Sequence, residues 1–280
     1  MSVLLLCALS LCAEPRRIIS TAPGITEILF ALGLGGRVVG VTNYCVYPPE
    51  VSKIAKIGTW MTPNLEAILS SRPDLVIVQR TAIHDGDKFR ALKLPTVDVQ
   101  LVGVEDIYAT IAKIGAATGV EVRAASLIKQ IRGDLDSIRQ RVAGKTPAQT
   151  LFIVGRNPGT LEGIIAGGGK SYHSQVIEIA GGRNILLDSK VPYPKVLQEE
   201  ILARNPDVII DMGEHAEASG ISEQQQKKEI ELWRKRYPEL HASRSGRIHV
   251  VSSSIYVVPG PRVVDLARDL ARKFHPELFR

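Results

Sequence analysis

Apolar residues along the chain fall into short, β-branched runs separated by stretches of helical spacing. In the first half the runs lie at residues 17–20, 37–42, 74–78 and 96–99, and in the second at 150–154, 207–210 and 247–252. Strands that alternate with helices predict an α/β architecture with mainly parallel sheets. Between the halves the pattern changes. Over residues 121–143, Ala124, Leu127, Ile128, Ile131, Leu135, Ile138 and Val142 recur at helical spacing, and Gly133 is the one weak point. A helix of about 20 residues spans roughly 30 Å, which suits a rigid connector between two lobes.

The two halves also resemble each other. Residues 64–77 (NLEAILSSRPDLVI) align with residues 197–210 (LQEEILARNPDVII), 133 positions on. Upstream, Gly36-Arg37 with Tyr47-Pro48 aligns with Gly182-Arg183 with Tyr193-Pro194, so the first half carries an insert, which contains Gly58-Thr59-Trp60. The expected organisation is two similar α/β lobes, residues 14–120 and 144–280, joined by a long helix at 121–143, with the site in the cleft between them.

Residues 2–13 are apolar throughout and end at Glu14-Pro15-Arg16-Arg17. The run is too short to span a bilayer and has the length of a signal-peptide core. Residues 1–13 are therefore expected to be an export signal and the protein to work in the periplasm or at the cell surface. Cys12 invites a lipid anchor, although Leu11 is bulky where such sites prefer a small residue. Cys7, Cys12 and Cys45 cannot make a disulfide framework. A net charge of +6 over 280 residues is a weak bias. The basic cluster at 227–236 is interleaved with acids, so it predicts a solvated helix face and not a nucleic-acid surface.

The motifs of catalysis are missing. Gly167-Gly-Gly-Lys-Ser171 lacks the leading glycine of a phosphate loop, Ile164 standing in its place, and a tight turn into the helix that follows is the expected role. His84, His173, His215, His241, His249 and His275 show no metal-ligand spacing, and His173 beside Tyr172 at a helix start is the one to watch. There is no Gly-x-Ser-x-Gly and no Cys-His pairing. A bilobal metal-dependent enzyme would need an acid–base or metal cluster that the sequence does not display.

Aromatic placement is more informative. Trp60 falls in a loop, after which Thr62 and Pro63 are expected to cap the next helix. Tyr44, Tyr47, Tyr193 and Tyr256 follow predicted strands, where parallel sheets collect ligands. Glu66 and Glu199 occupy equivalent first-turn positions of two equivalent helices. Stabilisation of a helix N-terminus explains them; a pair of acidic knobs for a basic partner is the alternative, and spacing alone favours the first.

Several stretches resemble the substrate-binding proteins of bacterial ABC importers for cobalamin, haem and iron–siderophore complexes. They are residues 17–29 (RIISTAPGITEIL), 39–49 (VGVTNYCVYPP), Thr59-Trp60, Asn64-Leu-Glu66, Gly169-Lys-Ser171, 175–178 (QVIE), Val191-Pro-Tyr-Pro194 and Gly260-Pro-Arg262. The cobalamin branch is the most similar. The resemblance implies two lobes on one long helix, no enzymatic activity and no resident cofactor. Cobalamin is the implied cargo, carried by a monomer to a membrane permease. Trp60 and Tyr44 are the implied ligand-facing residues of the first lobe, with Pro23, and in the second Tyr193, Asn157, Tyr172, Ser254 and Tyr256. Asn157 and Ser254 would serve the amide rim of the ligand. Glu66 and Glu199 fall where family members pair with permease arginines. Tyr193 stands in place of a tryptophan, and Ser254-Ile255-Tyr256 in place of an Asp-Trp-Phe run. Haem would instead draw an axial ligand from Tyr172, His173 or Tyr256, and a ferric siderophore would draw on Arg80, Arg156 and Arg262.

Overall fold

The computed structural model describes residues 14–59, 61–81, 86–213 and 220–279; the expected export signal at 1–13, Trp60, His84 and His215 lie outside the described residues. The first half runs β1 (Ile18–Ser20), α1 (Pro23–Ala31), β2 (Val38–Val41), β3 (Ala55–Lys56), α2 (Leu65–Ser70), β4 (Leu75–Gln79), α3 (Asp87–Ala91), β5 (Thr96–Val99) and α4 (Val104–Thr118). Its strands are all parallel, in the order β3-β2-β1-β4-β5. Ile18, Ile19, Val76, Ile77 and Val78 in the two inner strands are buried. Helices cover both faces of such a sheet, so its central strands read as continuous apolar runs.

The second half follows α5 (Glu121–Val142). It runs β6 (Ala148–Gly155), β7 (Ile165–Ala166), α6 (Tyr172–Ile179), β8 (Gly182–Asn184), α7 (Gln198–Arg204), β9 (Val208–Asp211), α8 (Glu223–Arg236), α9 (His241–Ser245), β10 (Ile248–Val250) and α10 (Val263–Phe274). The strands order as β10-β9-β6 in parallel. On its far edge β6 pairs in parallel with β8 through Ala148–Thr150 and antiparallel with β7 near Gly155. The short antiparallel β7 was not legible in the sequence, because two residues are too few to show a period.

Helix α5 is continuous through Gly133, which lies on its exposed face. Ala124, Ile131, Leu135, Ile138 and Val142 are its buried stripe. They belong to one apolar core that reaches from Ile18 and Ile77 in the first sheet to Phe152 and Ile210 in the second. Because this one stripe packs on the core of both lobes, bending the helix would expose apolar surface, and a small opening motion is expected rather than a wide hinge.

The internal repeat has a structural counterpart. Helices α2 and α7 each end on a left-handed residue, Arg72 (φ 46°) and Asn205 (φ 40°), followed by Pro-Asp. The carboxylate of Asp74 accepts the backbone N–H groups of Arg16 and Arg17, both at 2.8 Å, and that of Asp207 accepts from Gln149 at 2.9 Å. In each lobe this aspartate ties the start of the central strand to the neighbouring strand.

One expectation is corrected. The cap of α2 is Asn64, whose side chain accepts from Ala67 N–H at 3.0 Å, and not Thr62. Thr62 and Pro63 are held further back: Thr59 and Thr62 bond through their hydroxyls at 2.8 Å, and Pro63 bridges Gly58. The glycine-rich segment behaves as expected. Ser171 caps α6 by accepting from Ser174 N–H at 3.1 Å. A Cβ on Gly168 or Gly169 would strike the carbonyl oxygen of Val191 or Leu187. The segment is a close backbone crossing and leaves no cradle for a phosphate.

Candidate ligand-binding cleft

The carboxyl ends of the parallel strands deliver the residues named from sequence. Tyr44 and Tyr47 follow β2, Gly58 and Thr59 follow β3, Asn157 follows β6, Tyr193 follows β8, and Ser254 and Tyr256 follow β10. Tyr44, Tyr47 and Tyr193 are 38%, 42% and 47% exposed. Large aromatics left in this state at strand ends are suited to close on an apolar ligand face. Asn157 is exposed in the turn after β6, while Pro23 and Ser254 are partly buried.

The lobes meet where the chain entering α10 packs on α1. Arg262 of the second lobe donates through Nε to Glu27 Oε2 at 2.9 Å and through Nη2 to Glu27 Oε1 at 2.5 Å. The same Nη2 donates to Ser254 Oγ at 2.9 Å. The guanidinium lies 3.9 Å from the centre of the Tyr47 ring, within cation–π range. Burial pushes the Glu27 carboxyl above the usual carboxylate range, and the bonds from Arg262 oppose that rise. Beside this pair, a Cβ on Gly24 would collide with the carbonyl oxygen of Pro259. A second crossing is made by Gln175 of α6, whose Oε1 accepts from Val104 N–H at 2.8 Å.

Beneath the second-lobe wall lies an aromatic layer. His173 stacks at 4.3 Å on Phe152 and meets Tyr193 edge-on at 6.0 Å. Its Nε2 donates to the Tyr256 carbonyl at 2.7 Å, which leaves Nδ1 as the unprotonated nitrogen. Tyr256 spends its hydroxyl on Asp269. The expectation that Tyr172 and Tyr256 face the ligand is corrected: they are 1% and 4% exposed and support the wall from behind. The same burial removes Tyr172, His173 and Tyr256 as axial haem ligands in this arrangement.

The three arginines part company. Arg156 is buried. Its Nε bonds Asp211 at 3.1 Å, its Nη1 donates to the Thr160 carbonyl at 2.7 Å, and its Nη2 pairs with Glu229. Trp233 Nε1 completes the network at 2.7 Å from Asp211. Arg156 therefore holds β6, β9 and α8 together and is not a cleft group. Arg262 is committed to Glu27. Arg80 is exposed and lines a depression with Asp98, Gln100, Asp106 and Lys113 beside α4. Glu27 and Gln175 carry no expectation of a site role in the sequence, whereas Tyr47, already placed at a strand end, gains Arg262 as its partner. The available signal was Glu27 itself, a lone acid within the apolar run Ile25-Thr-Glu-Ile-Leu29.

His173 predicts a pH dependence. Desolvation by burial pushes its imidazole down to about 4, against the opposing bond to Tyr256. The unfolded chain, with an ordinary imidazole near 6.5, then binds the extra proton between those values. Stability is expected to fall as pH drops from about 6.5 to 4, by about 3 kcal/mol from this residue. His173→Gln keeps a donor for Tyr256 and should remove that part of the slope in urea titrations at pH 7 and 4.5. An equal acid loss in the variant would contradict the assignment.

Two α/β lobes on one long helix, with half-exposed aromatic side chains beyond strand ends in each lobe, define a bilobal solute-binding protein. The chain belongs to the periplasmic binding protein family, which matches residues 18–251. It is 30% identical over 224 residues to a vitamin B12-binding protein of Yersinia pestis (strain Pestoides F), covering 79% of this chain and 78% of that one. Among solved structures, the periplasmic vitamin B12-binding protein BtuF of Vibrio cholerae superposes with a TM-score of 0.76 at 28% identity, covering 95% of this chain and 99% of that chain. The periplasmic heme-binding protein RhuT from Roseiflexus sp. RS-1, in apo form, superposes with a TM-score of 0.78 at 26% identity, covering 94% and 99%. The relatives are solute-binding proteins, and this chain is one and not an enzyme. Among the described residues no cluster of His, Cys, Asp or Glu forms a metal site, and no helix is long and apolar enough to cross a membrane.

Proposed function

We propose that the protein captures a corrinoid of the cobalamin class in the inter-lobe cleft, outside the cytoplasmic membrane, and delivers it to an ABC permease. The observation that carries this reading is similarity to vitamin B12-binding proteins that extends through both lobes. The half-exposed Tyr44, Tyr47 and Tyr193 supply apolar walls for a large macrocycle. Engagement of Arg262 by Glu27 takes one arginine away from anionic ligands, which fits an uncharged amide rim better than a siderophore. Trp60 is proposed as a further wall, on the strength of its loop position in the sequence. Asn157 and Ser254 would hydrogen-bond the amide rim in this reading. Delivery would use Glu66 and Glu199, exposed on the first turns of α2 and α7.

Calorimetric titration with cyanocobalamin tests the reading. One-to-one binding is expected, weakened at least about tenfold by Tyr193→Ala or Trp60→Ala through loss of aromatic contact. Absence of corrinoid binding together with tight haem binding would replace the cargo and leave the transport role standing.

A further inference from the structure

We infer that Glu27 and Arg262 form a cross-lobe latch that sets how far the two lobes stand apart and how fast a ligand leaves the cleft. The pair is a charged junction between two halves that also meet where Gln175 bonds Val104 and through the α5 core. Its side chains are 235 positions apart in sequence and meet through two N–H···O bonds of 2.9 and 2.5 Å. They are 3% and 15% exposed, so solvent screens them little. Planar guanidinium and carboxylate groups bonded in this way tolerate little sliding, and a small change in lobe angle breaks both bonds together.

Three neighbours make the pair a latch and not an isolated bridge. Ser254 shares Nη2 of Arg262 at 2.9 Å, which ties the latch to the segment after β10. Tyr47 packs its half-exposed ring on the guanidinium, so a ligand pressing on Tyr47 acts directly on the latch. Gly24, one helical turn before Glu27, lets the Pro259 carbonyl approach where any side chain would hold the lobes apart. A permease that separates the lobes must break this contact, which gives the latch a role in release. That last role rests on the proposed transport function; the effect on lobe spacing does not.

The test reads lobe spacing without any ligand. Spin labels are placed at Ser70→Cys and Ala203→Cys, exposed equivalent positions on α2 and α7, in a full chain with Cys7 and Cys12 changed to Ser and Cys45 buried. The wild-type background is expected to give one narrow distance. Glu27→Gln, which leaves Arg262 without its counter-charge, is expected to give a longer and broader distribution and, for a bound corrinoid, at least about tenfold faster dissociation. Gly24→Ala, an uncharged wedge at the same junction, is expected to widen the spacing by an independent route. Should Glu27→Gln fail to fold by circular dichroism, Arg262→Lys keeps the charge but loses the paired geometry and is expected to give an intermediate spacing. The inference is overturned if the charge variant that folds keeps the wild-type distance, including the case in which Gly24→Ala alone widens it, since packing would then set the spacing. Failure to bind cyanocobalamin would bear on the cargo and leave the distance measurement unaffected.

Discussion

Reversing both exposed acids, Glu66→Arg with Glu199→Arg, is expected to abolish ligand uptake while leaving ligand affinity within about twofold of wild type. The two glutamates stand on the first turns of α2 and α7, exposed, at positions related by the internal repeat. Their neighbour Glu200 is different, since Arg204 bonds it at 3.1 Å. Both glutamates are exposed and neither is among the partners of the Glu27–Arg262 junction or of the aromatic layer, so their loss should not reach the cleft. Each single reversal should reduce uptake in part, because one lobe would keep its contact. Uptake through the reconstituted permease and calorimetry of the isolated variant check the two halves of this expectation. Normal uptake by the double variant would remove the docking role and return the glutamates to helix-terminus stabilisation, worth only about 0.3–1 kcal/mol each.

Arg156→Met is expected to destabilise the protein without weakening ligand binding directly. The guanidinium is wholly buried and is shared by Asp211, Glu229 and the Thr160 carbonyl. Truncation to an apolar side chain leaves two acids in the interior without their cation, a change that typically costs about 3–5 kcal/mol. Asp211 would keep its bonds from Trp233 Nε1 and Gly213 N–H, both 2.7 Å, which places the loss at the lower end of that range. Urea denaturation against Arg80→Met is the comparison, because Arg80 is exposed and its replacement should change stability by less than about 0.5 kcal/mol. Wild-type stability in Arg156→Met, combined with weakened ligand binding, would restore Arg156 as a cleft residue.

Arg156 has a role that is not legible in its local sequence. It follows a strand, as ligand-binding arginines often do, and nothing local distinguishes it from Arg80 or Arg262. Its fate depends on Asp211, 55 positions on, and on Glu229 in a helix that reads as solvated and basic. Tyr172 and Tyr256 failed as wall residues for a similar reason. A tyrosine after a strand can point into a cleft or back under it, and the partner that fixes Tyr256, Asp269, lies one element further along. The cap of α2 is expected at Thr62, whereas Asn64, an equally good capping residue, holds that place. The bridge between Gly58 and Pro63, a pairing across the loop, decided between them.

The alternation of strands and helices, the long connector, the two-lobed repeat and the equivalence of Glu66 with Glu199 are all written locally in the chain. These follow from periodicity and from local chemistry such as the Pro-Asp turn, in which each residue acts on neighbours a few positions away. Which polar groups are spent and which remain available depends on the folded arrangement. That choice is made by burial, since a charge removed from water must find its partner wherever the fold supplies one. The Glu27–Arg262 junction between the lobes is the clearest case. Its members are 235 positions apart, and neither carries a local mark of the other.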